Sequence, residues 1–73
     1  MKIYSFEKVD SLRIETLKEN IDIQSGNGLY LDLLSDNEYA VSFNDEDSNI
    51  YPTLEEAEKY YEILLKEINN DKS

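Results

Sequence analysis

The stretch Leu29-Tyr30-Leu31-Asp32-Leu33-Leu34-Ser35-Asp36-Asn37-Glu38-Tyr39-Ala40-Val41-Ser42-Phe43 decides the fold. Leu29, Leu31 and Leu33 alternate with Tyr30, Asp32 and Leu34; beyond a polar tetrapeptide, Tyr39, Val41 and Phe43 alternate with Ala40 and Ser42. Strand side chains point to opposite faces in turn, so two alternating runs around a turn spell a β-hairpin. Leu29, Leu31, Leu33, Tyr39, Val41 and Phe43 then share one face and form the sheet's part of the core. Asp32, flanked by leucines, points from the other face.

Downstream, Thr53-Leu54-Glu55-Glu56 reads as a capping box, and Pro52 holds the chain extended just before it. Leu54, Ala57, Tyr61, Leu64, Leu65 and Ile68 recur at helical spacing, so a helix is expected from Leu54 to about Asn69. Glu55–Lys59 and Glu62–Lys66 are i,i+4 pairs on its opposite side. Upstream, Ser25-Gly26-Asn27-Gly28 holds both glycines and marks a turn, with Ile21-Asp22-Ile23 as a third strand entering it. Lys2–Phe6 can add a fourth. Residues 10–20 read two ways. A helix capped by Asp10 places Ile14, Leu17 and Ile21 on one stripe, whereas a strand pairs Leu12 and Ile14 with Ile21 and Ile23 across Lys18-Glu19-Asn20. The Leu, Glu and Lys content favours the helix. The expected fold class is therefore α+β in a single small domain over residues 1–73: a three-stranded, at most four-stranded, antiparallel sheet, a C-terminal amphipathic helix on one face and a short N-terminal helix.

Composition narrows the function. With 73 residues there is no room for two lobes around a cleft, and the absence of Cys and His removes thiolate and imidazole chemistry, whether catalytic or metal-binding. No apolar run approaches the roughly 18 residues of a membrane span, and Met1–Glu7 lacks an export signal, so a cytoplasmic location is expected. Seven Ile and seven Asn against two Ala suit an A/T-rich genome such as that of a low-GC bacterium or its phage; for a phage protein the compartment is the host cytoplasm. The net charge is −10, from 17 acids and 7 bases. All of it comes from residues 19–58, which hold Glu19, Asp22, Asp32, Asp36, Glu38, Asp45, Glu46, Asp47, Glu55, Glu56 and Glu58 and no Lys or Arg. A field of this sign repels nucleic acid and attracts basic surfaces, so the expected partner is a protein with a basic surface, with no direct nucleic-acid binding and no membrane.

Residues 45–56 resemble an EF-hand calcium loop in register: Asp45, Asp47 and Asn49 stand at positions one, three and five, and Glu56 at twelve. Ile50 replaces the glycine of the sharp turn and Pro52 the apolar residue that couples loops, so the stretch reads as an acidic connection from hairpin to helix. No metal site and no cofactor is expected. Catalysis lacks a histidine to activate Ser or Thr and a glycine-rich phosphate loop, so the chain is read as a non-enzyme.

Two functional classes remain. In size and charge, though not in any motif, the chain is similar to phage-encoded DNA mimics and anti-defence inhibitors, among them anti-CRISPR and anti-restriction proteins. That likeness implies an acidic surface that occupies the basic nucleic-acid-binding site of a target protein. Its carboxylates would be Asp36, Glu38, Asp45, Glu46, Asp47, Glu55, Glu56 and Glu58, gathered on one flank free of cations, with Tyr30 and Tyr60 adding short-range contacts. The alternative is an interaction or structural module, or a homodimer, that binds through apolar and tyrosine surfaces while the acids confer solubility. Six tyrosines in 73 residues suit both.

Overall fold

The computed structural model describes residues 2–22, 24–44 and 46–70. In chain order the elements are β1 (Lys2–Tyr4), α1 (Phe6–Leu12), β2 (Arg13–Asp22), β3 (Asn27–Leu34), β4 (Tyr39–Phe43), β5 (Ser48–Tyr51) and α2 (Leu54–Asn70). The strands form one antiparallel sheet in the order β1-β5-β4-β3-β2. No helix among the described residues is long and apolar enough to cross a membrane.

The β3–β4 hairpin forms in the register that its alternation demands, Leu29 opposite Phe43, Leu31 opposite Val41 and Leu33 opposite Tyr39. Its turn is closed by the Leu34 amide donating to the Glu38 carbonyl at 2.9 Å, with Asn37 in the left-handed region at φ 65°. Asparagine tolerates that conformation better than most residues. Thr53 caps α2 by accepting from the Glu56 amide at 3.3 Å.

Five strands and two helices overturn the expectation of three or four strands. Two segments account for the difference. The first is residues 10–20, where the helix stops at Leu12 and a ten-residue strand follows. β2 pairs with β3 through two irregularities, between Arg13 and Glu15 and between Thr16 and Lys18, which leave Ile14 and Leu17 as extra residues. Each bulge resets the alternation, so side chains spaced by three point the same way and imitate a helical stripe. The second is β5, only four residues long and polar at Ser48 and Asn49, too brief for its alternation to stand out in the sequence. It occupies residues 48–51 of the EF-hand-like stretch, so Asn49 and Tyr51 lie in a paired strand rather than a loop. Asp45, its first position, and Ile23, the last residue of the expected third strand, lie outside the described residues.

The sheet carries a helix on each face. α2 covers the first with Ala57 and Tyr61 buried and Tyr60, Leu64, Leu65 and Ile68 partly buried, over Leu29, Leu31, Val41, Tyr39, Phe43 and Tyr51. Burial of a leucine such as Leu31 contributes roughly 2–3 kcal/mol. Leu54, assigned to the core stripe from its spacing, is exposed at the first turn. The other face is covered only in part. α1, seven residues capped by Ser5, brings Val9 and Leu12 over Tyr4, Leu34, Ala40 and Ile50. A helix that short covers only the β1, β5 and β4 side of this face and the start of β2, and the region over the middle of β3 stays open.

Candidate functional site

The open region is a cleft of about 220 Å³ lined by Phe6 and Val9 from α1, Arg13, Thr16 and Glu19 from β2, Tyr30 and Asp32 from β3, and Ser42, Asn44 and Ser48 from β4 and β5 with their turn. Pairing explains the convergence. Arg13 is opposite Leu34, Thr16 opposite Asp32 and Glu19 opposite Tyr30, so all three stand on the face of Asp32. Without the bulges at Ile14 and Leu17, strict alternation would send Thr16 to the other face. Bulges placed beside functional sites commonly re-aim side chains in this way.

The floor is polar and buried. Asp32 is 1% exposed, Ser48 1% and Ser42 8%, on a sheet whose other face is packed with Leu, Val and Tyr. Thr16 Oγ1 donates to Asp32 Oδ1 at 2.7 Å, and the hydroxyls of Ser42 and Ser48 bond to each other. Asp32 Oδ2 accepts no hydrogen bond from the described residues, although the Arg13 Nε lies 3.2 Å away. The same guanidinium is anchored at its other end by Nη1 to Asp10 Oδ1 at 2.7 Å. Burial opposes the charge on Arg13, but Asp32 and Asp10 outweigh it and hold its pKa above the ordinary value. Buried carboxylates are expensive in a small core unless every lone pair is satisfied. Here one is not.

Gly28 sets the outer wall. A Cβ there would lie 2.5 Å from Tyr30 Oη and 2.9 Å from its ring carbons, so the ring rests on bare backbone. Gly28 and Asp32 flank Tyr30 along one face of β3, and a ring lying over Gly28 leans away from Asp32. Asn44 fixes this end: its side-chain Oδ1 accepts from the Gly28 amide at 2.8 Å and its Nδ2 donates to Asn27 Oδ1 at 3.2 Å. A second, shallower hollow lined by Ile21, Gly26, Gly28, Tyr30 and Asn44 adjoins the cleft.

The sequence-predicted binding residues do not form one group. Asp36 and Glu38 sit in the β3–β4 turn, and Glu46 and Asp47 follow β4, at the opposite end of a strand about 15 Å long. Glu55, Glu56 and Glu58 lie on the first turns of α2. Two of these acids carry lysines: Lys2 Nζ is 2.7 Å from Glu38, and Lys18 Nζ is 3.0 Å from Glu58 and 3.9 Å from Glu62. The acids therefore share no single cation-free flank. Tyr30 belongs to the cleft, whereas Tyr60 packs at the α2 seam, its ring 5.7 Å from that of Tyr51, on the opposite face. Sequence reasoning missed Arg13, Thr16, Ser42, Ser48 and Gly28. The one available signal was an aspartate inside a leucine run. Among the described residues, no group of three or more Asp or Glu is arranged to hold a metal ion.

No known family, no curated protein and no solved structure matches the chain.

Proposed function

We propose that the chain is a non-catalytic protein-interaction module whose working surface is the half-face that α1 leaves open, with the acids conferring solubility. The observation that carries this reading is the cleft itself, a polar-floored hollow of about 220 Å³ rimmed by Phe6, Tyr30 and, in the adjoining hollow, Ile21. It is smaller than the roughly 300–1,000 Å³ of small-molecule pockets and suits one anchoring side chain of a protein partner. Ile21 and Phe6 are exposed beside it, apolar area of the kind an anchor's surroundings bury. The neighbouring edge is less suited to recruiting a strand, since β2 carries two bulges and the charges Arg13, Glu15, Lys18 and Glu19. Ser42 and Ser48 bond to one another rather than to a base, which favours binding over nucleophilic chemistry.

The competing reading, an acidic inhibitor seated on a basic nucleic-acid-binding protein, is weakened by the division of its carboxylates between two ends of the sheet and by their lysine partners. A photo-crosslinking residue in place of Ile21 or of Glu55 separates the two. A discrete protein adduct from position 21 in the producing cell, retained at high salt, is expected. Adducts from position 55 alone, lost as salt rises, would move the function to the acids.

A further inference from the structure

We infer that the cleft binds one basic side chain, a guanidinium or primary ammonium, which the partner inserts as its anchor; the partner rests on the reading above, the chemistry of the cleft does not.

The charge balance sets the sign of the guest. Asp32 and Glu19 line the cleft and Asp10 adjoins it, three carboxylates to the single guanidinium of Arg13. An anionic guest would meet Asp32 and Glu19 at once. A cationic donor instead finds Asp32 Oδ2 at the floor, an oxygen that no hydrogen bond reaches and that only the Arg13 ion pair at 3.2 Å meets. Ser42 and Ser48 bond to each other through one hydroxyl hydrogen, which leaves lone pairs on both oxygens, and one further O–H, on the lining of the same cleft. The lining suits a cation's stem and flat face, since it includes the aromatic rings of Tyr30 and Phe6. The net charge of −10 draws basic partners toward the whole molecule.

Arg13 is the resident stand-in. Its side chain is 32% exposed and its outer nitrogen is tied to Asp10 on α1. It can swing off Asp32 while keeping Asp10, and an incoming guanidinium or ammonium then takes the position that its Nε held. Gly28 keeps the entrance clear, because only a residue without Cβ lets the Tyr30 ring lie flat. Two bulges, a glycine and a buried aspartate with one oxygen that no hydrogen bond reaches come together around this hollow and the one adjoining it.

The test is a titration of the isotope-labelled chain with N-acetyl-arginine amide, its uncharged citrulline counterpart and acetate, followed by amide NMR. The arginine amide is expected to give saturable shifts at Thr16, Asp32, Ser42 and Ser48 with a dissociation constant of about millimolar, the scale set by so small a ligand. The citrulline compound should bind at least ~10-fold more weakly. Gly28→Ala, which leaves every polar group in place but displaces the Tyr30 ring, should weaken binding by a similar factor with the α2 resonances unchanged. Asp32→Leu should abolish binding, and if that variant fails to fold, Gly28→Ala decides alone. Equal binding of citrulline, preference for acetate, or shifts centred on Glu46, Asp47 and Glu55 would overturn the inference. An adduct from position 21 with no arginine-amide binding means that a partner docks without a basic anchor and rejects it too. Saturable binding without an adduct upholds the cleft chemistry and rejects the interaction-module reading.

Discussion

Leu31 and Asp32 are neighbours in β3 and equally hidden from water, yet they belong to two differently built halves of the molecule. Leu31 faces α2, seventeen residues whose apolar stripe spans the sheet. Asp32 faces α1, seven residues that reach only as far as Leu34, Ala40 and Ile50. One face is a closed hydrophobic interior. The other is half interior and half cleft, and its polar floor lies where a stability-driven sequence would place another leucine. The difference teaches where to look for function in a chain this small: in the part of the core that is not optimised.

Matched leucine truncations test that comparison most severely. Leu31 and Leu34 are both fully buried, on opposite faces. Leu31→Ala opens a void beneath a long helix that cannot settle into it, and about 4 kcal/mol is expected. Leu34→Ala lies under a short helix that can, so about 2–3 kcal/mol is expected. Thermal unfolding reads both, at roughly 4–8 °C per kcal/mol in a domain of this size. Equal losses would erase the distinction between the faces.

Next comes the charge on the cleft floor. Arg13→Ala leaves the Asp32 carboxylate without its cation and should cost about 2 kcal/mol, discounted for the partial exposure of the arginine. Asp32→Leu should cost less than Arg13→Ala, because the guanidinium left behind is partly exposed and keeps Asp10, while the leucine adds apolar burial. A large loss from Asp32→Leu in denaturant unfolding would make the aspartate a structural keystone instead.

The helix caps sharpen the contrast at smaller scale. Thr53→Ala removes the acceptor for the Glu56 amide and should cost about 1 kcal/mol. Ser5→Ala removes the acceptor for the Lys8 amide at 3.3 Å and should cost about half as much, because α1 has less packing to couple to its cap. Chemical denaturation of the two variants side by side measures the ratio.

The smallest effect is a pH dependence on the α1 face. The Lys2 ammonium, with help from the Tyr4 hydroxyl and Asp36, lowers the pKa of Glu38 from 4.5 to about 2. A carboxyl that is more acidic folded than unfolded stabilises the protein fully above pH 4.5, and that contribution drains away as pH falls toward 2. The gap in melting temperature between the wild type and Glu38→Gln should therefore narrow across that interval. A constant gap would show that the carboxylate's charge contributes nothing.

Sequence legibility followed the regularity of each segment. The β3–β4 hairpin, the Thr53 cap and α2 obey a single period over enough residues to be read. β2 does not: with Ile14 and Leu17 inserted, Arg13, Thr16 and Glu19 align at intervals of three, a spacing that belongs to neither a plain strand nor a sustained helix. β5 obeys period 2 for four residues, too few to distinguish it from the acidic connection around it. The site inherited both failures. Asp32 was readable as facing away from the leucine face, but its cover comes from the misread β2 and from an α1 that begins earlier and ends sooner than expected. The irregularities that build the cleft are what hid it.

The pairing of β1 with β5 sets an order of events in time. Lys2 meets Ile50 and Tyr4 meets Ser48, partners 48 and 44 residues apart in sequence. Closing so long a loop is entropically slow, and during synthesis the first strand must wait until the fifth has left the ribosome. The β2–β3–β4 meander, whose contacts are local, can assemble first, and the amino-terminal strand then latches the finished sheet. In hydrogen exchange the amides of Lys2–Tyr4 should consequently open ahead of those in β3. With β1 unlatched, α1 loses its upstream tether, so the wall of the cleft loosens before the interior beneath α2 does.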